Sequence, residues 1–293
     1  LSFYYAICIR NKQMPGAMPI AFKREVVISL EKAKRAERVW SLEQTDFYSP
    51  PLREWIMKAI KKNFSEQIVK CDSFGGFEGA EMQRVLISRA ENSYENFEEA
   101  KRDEFDGDGK QNLNCAVSCV EISGKFAFDP ATHPDFLGAV LNSGVKREKI
   151  GDILVNSKSS NGSKEGAKVL CTPAIAVFLT RALETVRTVK VNVDIFPLTE
   201  LEAKAIETEQ FRTYEASLRL DSIASAGFRC ARSKMCDDIS KGLVKLNYNI
   251  CDKKNAIVKA GDMLSCRGRG RVEVLEILEQ ENDRYRIELL RYK

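Results

Sequence analysis

Between Cys115 and Phe196 the apolar pattern switches between the two-residue period of a strand and the 3.6-residue period of a helix, in an order few folds satisfy. CAVSCVEIS reads as a strand. THPDFLGAVLNSG reads as a helix begun by Thr132 and stopped by Gly144. IGDILVN is a strand, SKSSNGSKEG a flexible turn and AKVLC another strand. TPAIAVFLTRAL is a helix with Thr172 as N-cap and Pro173 at the first helical position, a favoured arrangement. TVRTVKVNVDIF closes as a strand. The order is βαββαβ, the split βαβ plan. It buries one sheet face under two helices and leaves the other open for a ligand.

The first part of the chain reads differently. From Ala21 to Trp40, FKREVVISLEKAKRAERVW has the spacing of an amphipathic helix, and Ser49-Pro50-Pro51 then breaks the chain. LREWIMKAIKKNF continues as a second helix. Gly75, Gly76 and Gly79 make a turn before an apolar strand around Val85–Ile87; the Lys-Ser/Thr of a nucleotide phosphate loop is missing. Residues 91–112 are polar and acidic and include DGDGK. Placing Gly109 at the sixth position of a calcium loop puts Glu104 first and Cys115 twelfth, so the first Asp and bidentate Glu are absent. This stretch is expected to be a surface linker. The first twenty residues hold Arg10 and Lys12 but no acid and begin with Leu, so a fragment or processed product is expected. No apolar run reaches the roughly 18 residues needed to cross a bilayer.

Charge is concentrated near the other end. From Arg219 to Arg271 there are 12 Lys/Arg against 5 Asp/Glu, whereas the rest of the chain has 34 against 37. Leu220, Ile223 and Ala224 give one helical face, with Gly227 as its stop. Met235 and Ile239 mark a second helix ended by Gly242. LVKLNYNI then runs into a turn at Tyr248-Asn249, and Gly261-Asp262 turns the chain into the strand MLSCR. Arg229, Arg232 and Lys234 crowd the start of the second helix, where the macrodipole disfavours cations unless an anion binds. Lys241, Lys245, Arg267, Arg269 and Arg271 are expected to extend one contiguous cationic surface for a polyanion. Tyr248 is expected to pack at the hairpin. Lys146, Arg147 and Lys149 crowd another turn, a candidate second contact.

RLDSIASAGFRCARSKMCDDISKGLVKLNYNICDKKNAIVKAGDMLSCRG resembles an S4 domain, the RNA-binding module with the αL motif. The resemblance implies RNA-binding roles for Arg219, Arg232, Lys234, Lys245 and Asn247, with Gly242, Gly261 and Asp262 shaping turns. Two departures stand out. Ala231 replaces the usual Ser before the key Arg, removing a cap worth about 1 kcal/mol, and Tyr248 replaces the usual Gly. With GGFEGAEMQRVLIS and THPDFLGAVLNSGVKREKIGDIL, in that order, the chain from about residue 40 onward resembles the YlmH-type proteins. The strings KREKIGD and DFLGA are the most specific. The branch it looks most like is the plant and cyanobacterial one, often called photosystem II S4 domain proteins.

That resemblance implies an α+β fold in three parts: an N-terminal helical subdomain with a short strand and acidic linker (1–112), a ferredoxin-like or RRM-like βαββαβ domain (113–200) and an S4 domain (216–285). It implies a non-catalytic, monomeric protein without cofactor that binds ribosomal RNA or tRNA on the large ribosomal subunit, not DNA, in the chloroplast stroma or, alternatively, the cytoplasm. Bacterial relatives act there in rescue of stalled complexes carrying peptidyl-tRNA. The alternatives are an accessory to RNA modification and a photosystem II assembly factor. The candidate RNA-binding residues are Arg219, Arg229, Arg232, Ser233, Lys234, Lys241, Lys245, Asn247, Arg267 and Arg269, with Lys146 and Arg147.

Catalytic chemistry has little to draw on. His133 is the only histidine, which removes a Ser-His-Asp triad or His-rich metal site from support beyond that residue. Nine cysteines contain no CxxC; reduced, buried thiols are expected, rather than zinc held by Cys230, Cys236, Cys251 and Cys266.

Overall fold

The computed structural model describes residues 18–102, 115–156, 165–201, 208–279 and 284–292. The readings at Arg10, Lys12 and DGDGK, and most of SKSSNGSKEG, fall outside them. Two compact units divide the chain, Leu1–Ala203 and Lys204–Lys293. Among the described residues no helix is long and apolar enough to cross a membrane.

The first unit begins with α1 (Ile20–Val39), β1 (Glu43–Tyr48), α2 (Pro50–Asn63), β2 (Val69–Phe74), β3 (Gln83–Arg89) and α3 (Ser93–Lys101). The strands form an antiparallel sheet in the order β1-β3-β2. The helices expected here are present, but they pack with a three-stranded sheet where the sequence showed only one short strand. EQTDFY and VKCDSF carry too many polar residues to show a clean alternation, because they are the edges of a sheet whose centre, β3, takes most of the burial. In β3 Val85 and Ile87 face Val26, Ala33, Ile56 and Ile60 of α1 and α2, while Leu86 points to the opposite cluster with Phe97 and Ala100. The acidic linker is corrected too: Ser93–Lys101 is a helix whose Phe97 and Ala100, three apart, are buried.

Next come β4 (Ser118–Gly124), α4 (His133–Asn142), β5 (Ile150–Asn156), β6 (Gly166–Cys171), α5 (Pro173–Ala182), β7 (Thr185–Val186) and β8 (Val189–Phe196). The strand order is β5-β6-β4-β8-β7, antiparallel throughout, which is the ferredoxin-like arrangement with the last strand split into a hairpin. Thr132 and Asp135 form a reciprocal capping box at the start of α4. Phe136, Val140, Ala176 and Leu179 of the two helices bury Val120, Ile122 and Val169.

The opposite sheet face is only partly open, contrary to expectation. Cys119, Leu170, Leu154 and Phe196 join Phe47, Leu86 and Phe97 in one cluster, so the β1–β3 region covers part of it. Lys168 lies 3.5 Å over the Phe196 ring. The strings GGFEGAEM and KIGD, far apart in sequence, meet at this junction. The Asp152 carboxylate accepts the backbone N–H groups of Glu81 (2.7 Å) and Met82 (3.2 Å). A Cβ on Gly151 would lie 2.7 Å from the Phe47 ring. The buried Arg84 donates to the carbonyls of Thr45 (2.6 Å) and Ala116, and burial pushes its pKa down to about 10.

The second unit contains β9 (Thr208–Glu215), α6 (Leu220–Gly227), α7 (Arg232–Ser240), β10 (Val244–Leu246), β11 (Asn249–Ile250), β12 (Met263–Cys266), β13 (Gly270–Glu279) and β14 (Tyr285–Tyr292). Its six strands run in the order β11-β10-β12-β13-β14-β9. Leu220, Ile223 and Ala224 of α6 and Met235 and Ile239 of α7 pack on Val244, Leu264, Val272, Val274, Ile287 and Leu289. The helix–helix–hairpin expected at 216–285 is thus embedded in a larger sheet, with β9 before it and β14 closing it.

Gly227 does not take the left-handed conformation. Its missing Cβ instead admits Val272, whose methyls a side chain would meet at 3.0 Å. Arg229 is the left-handed residue (φ 52°). The N–H of Cys230 reaches the carbonyl of Ser225 and that of Arg229 the carbonyl of Ala226, a Schellman ending with Arg in the glycine position.

Candidate nucleic-acid interface

Two buried carboxylates organise the cations of the second unit. Asp221, 3% exposed, sits in the first turn of α6, where a negative charge suits the helix dipole. Arg219 grips it with Nε at 3.0 Å and Nη2 at 3.2 Å, and Arg232, at the start of α7, reaches it with Nη2 at 3.0 Å. The thiol of Cys236 lies 3.8 Å from the same carboxylate. Burial alone would raise the Asp221 pKa, but the hydrogen bonds from Arg219 and Arg232 outweigh it and hold the carboxyl below its usual value. On the other flank of α7, Asp238 (4% exposed) takes Lys234 and Arg269, each at 3.3 Å, and is held low by the same balance.

Each carboxylate thus binds two cations and leaves one positive charge over. The missing anion at the start of α7 is Asp221 itself, supplied from α6 to Arg232. Arg232 and Lys234 remain half exposed, so parts of both head groups stay reachable. Arg229 is placed elsewhere: it bonds Glu209 at 2.5 Å and lies 4.8 Å from the Phe211 ring. Ser233 is exposed in the first turn of α7, and Lys241 and Arg267 are exposed with no carboxylate within 4.0 Å among the described residues.

The single contiguous surface expected from the sequence is not what forms. Lys245 alternates with Val244 and Leu246, which belong to the core under the helices, so it points to the opposite sheet face. There it shares a cross-strand row with Ser265 and Arg271. Cations therefore occupy two faces, and five of them are tied to carboxylates.

Asn247 is engaged internally. Its Nδ2 donates to Asp262 (2.7 Å) and its Oδ1 accepts from Met263 N–H (2.9 Å), pinning the 259–263 turn to the hairpin. Asn247 and Tyr248 both have positive φ (49° and 67°) in a two-residue loop between β10 and β11. That is the signature of a type I′ turn, which favours Asn-Gly. A tyrosine held there carries strain of about 1 kcal/mol. Tyr248→Gly is expected to raise the thermal midpoint by a few degrees, measured by calorimetry; a drop would show that Tyr248 packing outweighs the strain.

In the first unit Lys146 is exposed, whereas Arg147 donates to the carbonyl of Ile150 at 2.5 Å and Lys149 pairs with Asp46 at 2.5 Å. The crowded turn thus offers one cation beyond its own structural bonds. His133, at the first position of α4, is kept below its usual pKa by partial burial and by Arg147.

Asp221 and Asp238 are the residues the sequence reading missed as organisers. Asp221 follows Leu220 and precedes Ile223 and Ala224, all core positions, so its burial with cationic partners was legible in principle.

Residues 22–92 match the family described as "YlmH, N-terminal", and residues 111–200 match "Putative RNA-binding domain in YlmH". The chain is 26% identical over 266 residues, covering 90% of its own length and 93% of the relative's, to the Bacillus subtilis protein named "Ribosome-associated protein quality control protein P2". A solved structure named "Cell division protein ylmH from Streptococcus pneumoniae" aligns with 64% of this chain and 97% of its own, at 23% identity and a TM-score of 0.44. With both of the family's matched domains in order and a relative aligned along nearly its whole length, the chain belongs to the YlmH family.

Proposed function

We propose that this chain is a non-catalytic RNA-binding protein that docks on structured RNA of the large ribosomal subunit, ribosomal RNA or tRNA, through its S4-like second unit. The observation that carries this reading is the pair of buried aspartates, each holding two cations in a fixed geometry with one charge in excess. Such a device orients guanidinium and ammonium groups for phosphates at little entropic cost on binding. A purely solvated basic face has no need of it. The names of the matched domain and of the B. subtilis relative point the same way. Placement in the plastid stroma rests on the branch resemblance alone, and a fluorescent fusion of the full-length protein tests it.

Lys245 and Arg267 are the sites for testing, because neither has a carboxylate partner among the described residues. Arg232→Glu would instead set a second carboxylate beside buried Asp221 and confound folding with binding. In co-sedimentation with purified large ribosomal subunits at stepped KCl, the double variant Lys245→Glu/Arg267→Glu is expected to bind at least about 10-fold more weakly at 150 mM. The slope of log affinity against log salt should shrink by roughly 2. Unchanged affinity and slope, with an unchanged melt, would remove the Lys245 face from the interface; unchanged binding in Asp221→Asn as well would remove the S4-like unit.

A further inference from the structure

The loop after β4 reads Lys125-Phe126-Ala127-Phe128, and its two phenylalanines have opposite fates. Phe126 is buried and meets Phe136 edge-on, with ring centroids 5.2 Å apart. Phe128 is 93% exposed, more than any other large apolar side chain among the described residues. It does no packing that would account for its presence. It lines a hollow of about 890 Å³ at the end of the β4–β8 pair, within the size range of small-ligand sites.

The rest of the lining suits one kind of guest. Lys125 and Lys190 are exposed on the rim, and among the described residues neither meets a carboxylate within 4.0 Å. Ser123 and Asn192, cross-strand partners, add a hydroxyl and an amide with both donor and acceptor capacity. Glu165 contributes the one carboxylate of the lining, an acceptor for an exocyclic amino group or ring N–H. An exposed ring, two cations and a mixed polar wall recognise a flat, hydrogen-bonding heterocycle attached to phosphates. Phe128 is the one aromatic ring of the lining, and the apolar side chains beside it, Ala127 and Val189, are small, which suits a single stacked ring better than a broad protein contact.

We propose that this hollow receives one unpaired nucleobase of single-stranded RNA, stacked on Phe128, with the flanking phosphates on Lys125 and Lys190. The site lies apart from the sheet centre, where Cys119, Leu170 and Phe196 are already covered and Lys168 occupies the Phe196 ring. It rests on the RNA-binding reading above but adds a second site with a different preference, unpaired rather than structured RNA.

The full chain is titrated with a fluorescent 12-nucleotide oligouridylate, with a blunt RNA hairpin and with purified large ribosomal subunits. Phe128→Ala is expected to weaken oligouridylate binding about 5- to 50-fold, with hairpin binding and the melt unchanged. Lys125→Glu/Lys190→Glu should do the same. A 5-iodouridine oligonucleotide should crosslink within residues 126–146. Unchanged single-strand affinity in both variants, a crosslink confined elsewhere, or wild-type protein that binds the hairpin but not the single strand overturns this inference and leaves the S4-like reading intact. So does a Phe128→Ala variant that loses only the ribosomal subunits, which would mark a protein contact. Wild-type protein that binds none of the three overturns the RNA reading itself.

Discussion

Asp221→Asn is expected to weaken binding to large ribosomal subunits about 10-fold although it makes the protein more positive by one charge. A plain Coulomb account predicts the opposite sign. In the wild type Asp221 fixes Arg219 through two hydrogen bonds and Arg232 through Nη2 at 3.0 Å. Freeing two guanidinium side chains restores rotamer entropy of about 1.5–2 kcal/mol each, some of which must be lost again on binding RNA. Two cations would also face each other without their carboxylate, at a cost of about 2–3 kcal/mol, moderated because both arginines are partly solvated. The melt of the second unit should fall by roughly 10 °C. The effect has a defined pH dependence. Asp221 is held below its unfolded value of 3.8, so its contribution is complete above that value and is lost as pH falls through the folded pKa. Wild type and Asp221→Asn should therefore converge in stability once pH has fallen through that folded pKa. A variant that binds RNA more tightly than wild type would show that the carboxylate merely neutralises, and would sink the orienting role.

Much of the fold was legible because long elements display their period. The βαββαβ order, the Thr132 and Thr172 helix starts and the α1 and α2 helices all follow from apolar spacing and caps. What was not legible shares one cause, side chains whose role is set by a distant partner. β1 and β2 look polar because they are sheet edges and the strand between them takes most of the burial. α3 is mostly acidic and shows only Phe97 and Ala100 to the core. Gly227 marks the helix end in sequence, but Arg229 takes the left-handed place there, and the glycine itself makes room for Val272, 45 residues on. The cationic density was plain in sequence, but its division between two faces depends on Lys245 alternating with buried Val244, and its pairing depends on Asp221 and Asp238 being buried.

The junction of GGFEGAEM with KIGD is expected to govern the stability of the first unit more than any surface charge. Asp152→Ala would leave the N–H groups of Glu81 and Met82 without the carboxylate that accepts both, in a partly buried place. Each unsatisfied donor costs about 1–3 kcal/mol, so the two together cost roughly 2–6 kcal/mol, less whatever water recovers. Gly151→Val acts on the same joint by a different route. A Cβ there lies 2.7 Å from the Phe47 ring and 3.1 Å from Leu170, so sheet and loop must part to admit it. Overpacking of this kind typically costs about 1–3 kcal/mol. Acid should discriminate between the units. Burial raises the Asp152 pKa in the folded state, so the ionised form weighs against the fold at neutral pH and that burden lifts as pH falls through the folded value. Asp221 and Asp238, held low, respond with the opposite sign. Hydrogen exchange resolved by peptide should show protection near residues 81–86 lost in Asp152→Ala, while peptides of α6 and α7 stay as in wild type. As pH falls below 3.8, through the folded pKa values of Asp221 and Asp238, the wild-type protein should open first at α6 and α7. Equal loss of protection in both units in Asp152→Ala would mean that the junction is a minor contact and that the specificity of these two strings has another origin.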